Sequence, residues 1–221
     1  MNQVDRHRVN LVGTDDGWRL SMMLGDQAGH ALLLDDRDQL VQQLPFEPAG
    51  LSVLLITTHL PQSAWDSRDA ERRASCEQAA ELLGVPTLAD VRFDQVDQVL
   101  TELDDPVVRR RAEHVIRETE RSRRAAAALA AGDWKSLGAQ MIGSHASLRY
   151  LYEVSCPELD AAVDLAVQNR ALGARMTTAG PDAAVVMLVL AGQGPVIASM
   201  IEQHYLAQGW PAPQVVAITA G

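Results

Sequence analysis

The chain has 221 residues, 47% of them apolar and 22% charged, with a formal net charge of -10, which is enough apolar side chain to bury the core of one domain or one and a half. The acidic balance excludes a nucleic-acid surface, because neutralising phosphates takes clustered Lys and Arg. No apolar run reaches the ~18 residues that a membrane helix needs, and the opening residues, with Asp5, Arg6, His7 and Arg8, lack the layout of a signal peptide, so a cytoplasmic protein with no membrane partner is expected.

Strand-like apolar runs alternate with long helical blocks, the pattern of an α+β domain with helices packed on one sheet. His30 to Asp35 and Leu51 to Thr58 read as two neighbouring strands, joined through a turn-rich connection marked by Pro45, Pro48 and Gly50. A helix is predicted from Asp66 or Ser67 to Gly84, since Asp and Ser cap free amides and Gly tolerates the left-handed C-terminal conformation. Asp94 to Leu103 suggests a short helix with Val96, Val99, Leu100 and Leu103 on one face. Asp105-Pro106, cap and first helical residue, then opens a longer helix that ends at Gly132.

Asp133 begins the next helix, with Leu137, Met141 and Leu148 as its buried stripe. Ser155-Cys156-Pro157-Glu158 is spaced as a capping box for a helix reaching about Asn169. Strands follow near Ala174 to Thr177 and Ala183 to Leu190, then a helix from Pro195 to Gln208 and a last strand at Val215 to Thr219. Cys76 and Cys156, the only cysteines, fit no metal or disulfide spacing and read as reduced buried thiols. The basic stretch Arg117 to Arg124 alternates with Glu118 and Glu120 and reads as a solvated helix face.

Periodicity cannot name a function, but several segments resemble galactokinase, of the superfamily that also holds homoserine, mevalonate and phosphomevalonate kinases. They are Gly29-His30-Ala31-Leu32-Leu33-Leu34-Asp35, Arg72-Arg73-Ala74-Ser75-Cys76-Glu77, Ser144-His145-Ala146-Ser147-Leu148-Arg149, Tyr152 to Asp160, and Leu172-Gly173-Ala174-Arg175-Met176-Thr177. They stand in the family's order and near its spacings. Arg8-Val9-Asn10-Leu11-Val12-Gly13 resembles the start of the family's sugar-binding signature, G-R-V-N-L-I-G-E-H-T-D-Y. The resemblance implies an α+β fold with helices packed on an antiparallel sheet. It also divides the chain into a remnant of the kinase N-terminal domain, residues 1–28, and a C-terminal domain, residues 29–221.

Phosphoryl transfer to a sugar hydroxyl needs a phosphate cradle, a metal, an oriented hydroxyl and a group to take its proton. The family's cradle, P-x-x-x-G-L-S-S-S-A, has no counterpart here, and neither does a P-loop. The family's catalytic aspartate lies about eleven residues before the H-A-L-L motif; counting back from His30 reaches Arg19, whose guanidinium cannot accept a proton. Asp15, Asp16 and Asp26 are nearby, and only a register slip would bring one of them to that place. Of the sugar signature's E-H-T-D-Y, only Thr14 and Asp15 are matched, which makes Asp15 the candidate sugar-binding residue. The family's glycine loop near the phosphates is represented by Thr178-Ala179-Gly180-Pro181-Asp182-Ala183, where Pro removes an amide donor and Asp adds repulsive charge; Thr178, Ala179 and Gly180 are its relic.

Arg8 falls at the position of the family's transition-state arginine, the plainer reading being a surface arginine beside a strand. His30 and His145 read as structural hydrogen-bonding residues, Arg175 as a brace for the degenerate loop, and Arg72 and Arg73 as partners of Asp69 and Glu77 on a helix surface; Asp69 stands where the family has a tyrosine. The expectation is a non-catalytic galactokinase relative, with an interaction or regulatory role or a remnant with no selected role, and no cofactor. The alternatives are an active sugar kinase, using Mg-ATP and completed by a second copy or another subunit, and a sensor that binds galactose or a related sugar without phosphorylating it. Loss of the N-terminal domain would uncover an apolar sheet face, so a homo-oligomer or a protein partner is expected.

Overall fold

A computed structural model describes residues 8–14, 17–23, 29–35, 39–58, 69–178 and 183–218. Strands β1 (Arg8–Gly13), β2 (Arg19–Met23), β3 (His30–Leu34) and β4 (Leu40–Pro45) form one antiparallel sheet in chain order. A second antiparallel sheet runs β6 (Gly173–Thr178), β7 (Ala184–Leu190), β5 (Leu51–Thr57), β8 (Gln214–Ile218). There are thus two sheets where the sequence suggested one. The strands β3 and β5, expected as neighbours, lie in different sheets, and the stretch between them holds β4. That strand escaped notice because Leu40, Val41, Gln42 and Gln43 are all exposed, which leaves no inward-outward alternation to read. A domain division at residue 28 falls between β2 and β3, hydrogen-bonded partners in one sheet.

The helices are α1 (Asp69–Leu83), a single turn α2 (Val96–Val99) flanked by 3-10 turns, α3 (Pro106–Ala130), α4 (Trp134–Ser147), α5 (Pro157–Gln168) and α6 (Gly194–Gln208). Their ends follow from local chemistry. Asp105 Oδ1 accepts from the amides of Val107 and Val108 at the start of α3, Asp133 Oδ1 accepts from Ser136 N at the start of α4, and Gly84 after α1 has φ +65°. The capping box expected at Ser155 does not form. Cys156 is the cap residue of α5 and makes no side-chain cap bond, because the Ser155 hydroxyl donates instead to Asp160 Oδ1 at 2.6 Å.

Three apolar clusters hold these elements together. One packs α5 and α6 on a face of the second sheet, through Leu159, Val163, Ile197, Ile201 and Tyr205 against Ile56, Val185 and Met187. The central one joins Val9, Leu11, Leu20, Met22, Ala31 and Leu33 of the first sheet to Val53, Val186 and Leu188 of the second, with Ala125, Leu129, Leu137 and Met141 from α3 and α4. Strand β7 is therefore buried on both faces, which is why it reads Ala-Val-Val-Met-Leu-Val-Leu with no polar residue. The third cluster lies between α1, the turns around Val96 and the first half of α3.

Candidate functional site

Strand β1 is the natural centre of a site, because it brings the signature-like residues against both sheets. Val9 and Leu11 point into the central cluster, whereas Asn10 Oδ1 accepts from Ser21 Oγ at 2.5 Å on the neighbouring strand. The outer edge of β1 is satisfied by side chains. Asn10 N donates to Thr177 Oγ1 of β6 at 3.1 Å, and Arg175 donates to the carbonyls of Asn10 at 3.2 Å and Gly13 at 2.9 Å. At the end of the strand, Gly13 has φ +101°, and a Cβ there would fall 2.2 Å from the Trp18 carbonyl, so no other residue fits. Its amide donates to Oε2 of Glu118 at 3.2 Å.

Glu118 has no solvent exposure. Besides the Gly13 amide it accepts from Ser144 Oγ at 2.5 Å and pairs with Arg121, so α3, α4 and β1 meet on one carboxylate. The sequence reading passed over it, though a signal was present. Glu118 shares its side of α3 with Arg111, Val115, Ser122 and Ala125, all buried, and a carboxylate on a buried stripe requires partners.

Arg19, at the position counted for the catalytic aspartate, is buried in β2 opposite Gly13 and Leu34. Arg8 lies opposite Met23, four residues further along β2, or roughly 14 Å at the usual strand rise. The ladder therefore sets Arg8 and Arg19 at opposite ends of the β1–β2 pair and does not bring them together. Thr178 is the last residue of β6, next to the Thr177 that bonds β1. Asp15, Ala179 and Gly180 lie outside the described residues, as do Asp16, Asp26 and the side chains of Arg8 and Thr178. Arg175 holds β1; the loop it was expected to brace is outside the described residues.

Beyond β1 the buried polar groups form structural pairs. Met176 N donates to His145 Nδ1 at 3.3 Å, and His145 Nε2 lies 3.2 Å from Asp160 Oδ1. Burial of Asp160 disfavours its charged form, but hydrogen bonds from His145 and Ser155 and the charge of Arg149, 2.9 Å away, outweigh it and hold the carboxyl below its ordinary range. His114 is fully buried, bonded to Ser147 Oγ at 2.8 Å and stacked on Tyr152; burial, with the charges of Arg175, Arg121 and Arg111, pushes its pKa well down. Arg72 is not a surface residue. It is buried and donates to the carbonyls of Tyr152 at 3.0 Å and Glu153 at 2.5 Å. With Arg111, which binds the Leu151 carbonyl and the Glu153 carboxylate, it clamps the wide turn Leu148–Tyr152 after α4. Burial pushes the Cys156 thiol up to about 12.

Chemically, this arrangement offers backbone positioning and buried ion pairs. Among the described residues no group of three or more His, Cys, Asp or Glu could hold a metal ion, and no helix is long and apolar enough to cross a membrane.

Comparison with known proteins places these features in context. The family profile described as GHMP kinases C terminal matches residues 125–204. A galactokinase of Streptomyces coelicolor is 42% identical over 192 residues, which span 86% of this chain and 50% of that protein. The human galactokinase is 38% identical over 180 residues, 81% of this chain and 46% of that one. A crystal structure of Lactococcus lactis galactokinase complexed with galactose superposes with a TM-score of 0.80 at 25% identity, covering 88% of this chain and 51% of that chain. L. major mevalonate kinase shares the fold, with a TM-score of 0.51 at 16% identity over 87% of this chain and 50% of that chain. The chain spans about half the length of the curated relatives it matches.

Proposed function

From the membership of this chain among the galactokinase-like GHMP kinases, of which it is the C-terminal half, we propose that it is a non-catalytic binding protein with an interaction or regulatory role. The observation that carries this reading is Arg19. Strand β2 reads Arg-Leu-Ser-Met-Met, so a slip of one or two residues within it brings no carboxylate to the place where the family keeps its proton acceptor. The buried guanidinium cannot take a proton from a hydroxyl, and a cation there repels Mg rather than binding it. Among the described residues the one buried carboxylate beside β1, Glu118, is already committed to the Gly13 amide, Ser144 and Arg121.

The same reading includes loss of the nucleotide cradle, no cofactor, a cytoplasmic location, and assembly with a second copy or a protein partner. Edge strand β4 supports assembly: it carries no charge and exposes Leu40 and Val41 at 56% and 45%, whereas edges that must stay single are normally guarded by charge.

The test is phosphorylation of galactose by the purified chain with Mg-ATP, beside melting curves with galactose, with Mg-ATP and with both. No galactose phosphate and no shift are expected. A ligand at about 100 times its dissociation constant adds about 2.7 kcal/mol, several degrees at this size. A shift with galactose alone would make the chain a sugar sensor; turnover would overturn the proposal and favour a kinase completed by self-association.

A further inference from the structure

The sheet β6–β7–β5–β8 has two edges, and they differ in kind. The β6 edge is covered, because Thr177 and Arg175 reach across it to the backbone of β1. Among the described residues no strand lies beyond β8. Strand β8 reads Gln-Val-Val-Ala-Ile and pairs with β5 from Gln214 to Ile218 without a register shift. From Tyr205 to Ile218 the chain has no charged residue, and the neighbouring β5 has none either. Charges, bulges and prolines within the strand are the devices that keep an edge single, and β8 has none of them.

The free backbone groups of this edge follow from the ladder. Thr58 N donates to Ala183 O and Ala191 N donates to Gly50 O, in the same register that pairs Leu51 with Leu190. The even-numbered residues of β5 therefore bond to β7, and the odd-numbered ones face β8. Val53, Leu55 and Thr57 stand opposite Ile218, Val216 and Gln214. Those three residues of β8 spend their N–H and C=O groups on β5, so Val215 and Ala217 turn theirs outward. Pro213, next in the outward series, has no N–H to leave unpaired. The outward set is symmetric about Val216, whose side chain is 45% exposed beside the half-buried Leu55 and Ile218.

We propose that β8 pairs antiparallel with β8 of a second copy across a two-fold axis at Val216. The symmetry of the edge selects this occupant, since an isologous contact needs a surface that complements itself. Val215 of one copy exchanges both its hydrogen bonds with Ala217 of the other, and Ala217 does the same with Val215. Val216 meets its own counterpart as a non-hydrogen-bonded pair, the closer kind, in which β-branched side chains pack against each other. Two four-stranded sheets become one continuous sheet. Each copy carries a net charge of -10, and an edge without carboxylates on β8 or β5 lets two copies meet without setting like charges opposite each other. The pairing rests on the reading that the chain assembles and names its partner; it does not depend on the loss of catalysis.

Sedimentation of the full chain over a range of concentrations is expected to show a species of about 48 kDa, twice the 24.0 kDa monomer. A217P removes an outward N–H that the monomer does not use, and V216K sets two ammonium groups opposite each other. Each is expected to raise the dissociation constant of the dimer about tenfold or more, while dilute samples melt near the wild type. V216C is expected to form a disulfide with its own counterpart under mild oxidation, because such a pair spaces its Cα atoms about 4.5 Å apart, within disulfide range. Cys76 is buried and the Cys156 thiol is raised to about 12, so neither competes. L206C, at an α6 position that is 80% exposed, is the control for random collision. Should A217P or V216K fail to fold, the rate of the V216C cross-link decides. A 24 kDa species at every concentration, or V216C cross-linking no faster than L206C, would overturn the pairing. A larger species that V41K disperses and that A217P and V216K leave intact would also overturn it, with the assembly reading still standing.

Discussion

Glu118 shows how much of this molecule turns on single buried side chains. Removing its carboxylate in E118A leaves the Gly13 amide, the Ser144 hydroxyl and Arg121 without their acceptor, and stranding a mostly buried cation is expected to cost about 3 kcal/mol; E118Q, which keeps an acceptor, is expected to lose about half of that, both read by urea unfolding. His114 gives a pH dependence whose sign follows from its lowered pKa. As pH falls below ~6.5 the unfolded chain takes up a proton that the folded imidazole refuses, so stability drops by up to about 1.4 kcal/mol per pH unit. Above that pH the contribution is fully present. Unfolding at pH 7.5, 6.5 and 5.5 is expected to show this slope in the wild type and a slope flatter by that amount in H114L. Asp160 acts in a separate, more acid window: its folded pKa is depressed, so its contribution is present above the ordinary carboxylate value near 4 and lost as pH falls toward the lowered one. Glu118 and His114 sit on a helix side whose periodicity was readable. Their partners Gly13 and Ser147 are 105 and 33 residues away, and no spacing rule links them.

At the scale of elements, caps and breakers were legible because they act within a turn of chain. Asp105-Pro106 starts α3 and Asp133 starts α4 for reasons contained in four residues. The contact of α4 with β6 was not legible. Gly138 and Gly173 bring helix and strand backbones together, and a Cβ on Gly138 would sit 2.0 Å from the Leu172 carbonyl. In an open helix, Gly to Ala gains up to about 1 kcal/mol; here the clash with rigid backbone outweighs it. G138A is expected to lose about 2–3 kcal/mol, in the range of core overpacking, read as a lower melting midpoint. A stabilised variant would mean that α4 can move off β6 freely.

For the whole molecule the question is what meets the exposed β4 edge. The expected outcome in sedimentation is a species heavier than the 24.0 kDa monomer, and V41K, which puts a charge on the edge, is expected to shift it toward the monomer. A single 24 kDa species across the concentration range would remove self-association through this edge.

The sequence by itself determined the helices, the strands β3 and β5 to β8, most of their ends and the family, because capping, helix periodicity and contiguous motifs are written in neighbouring residues. It also raised the expectation, by counting back from His30, that Arg19 occupies the position of the family's proton acceptor. Tertiary structure alone decided that the strands divide into two sheets, that Arg72 is a buried clamp, that Arg8 and Arg19 stand at opposite ends of one ladder, and that β1 hangs from Glu118 and Arg175. Each of these depends on which distant segments pack together, and that is settled by shape and by satisfying buried polar groups across the fold, a condition no local stretch of chain contains.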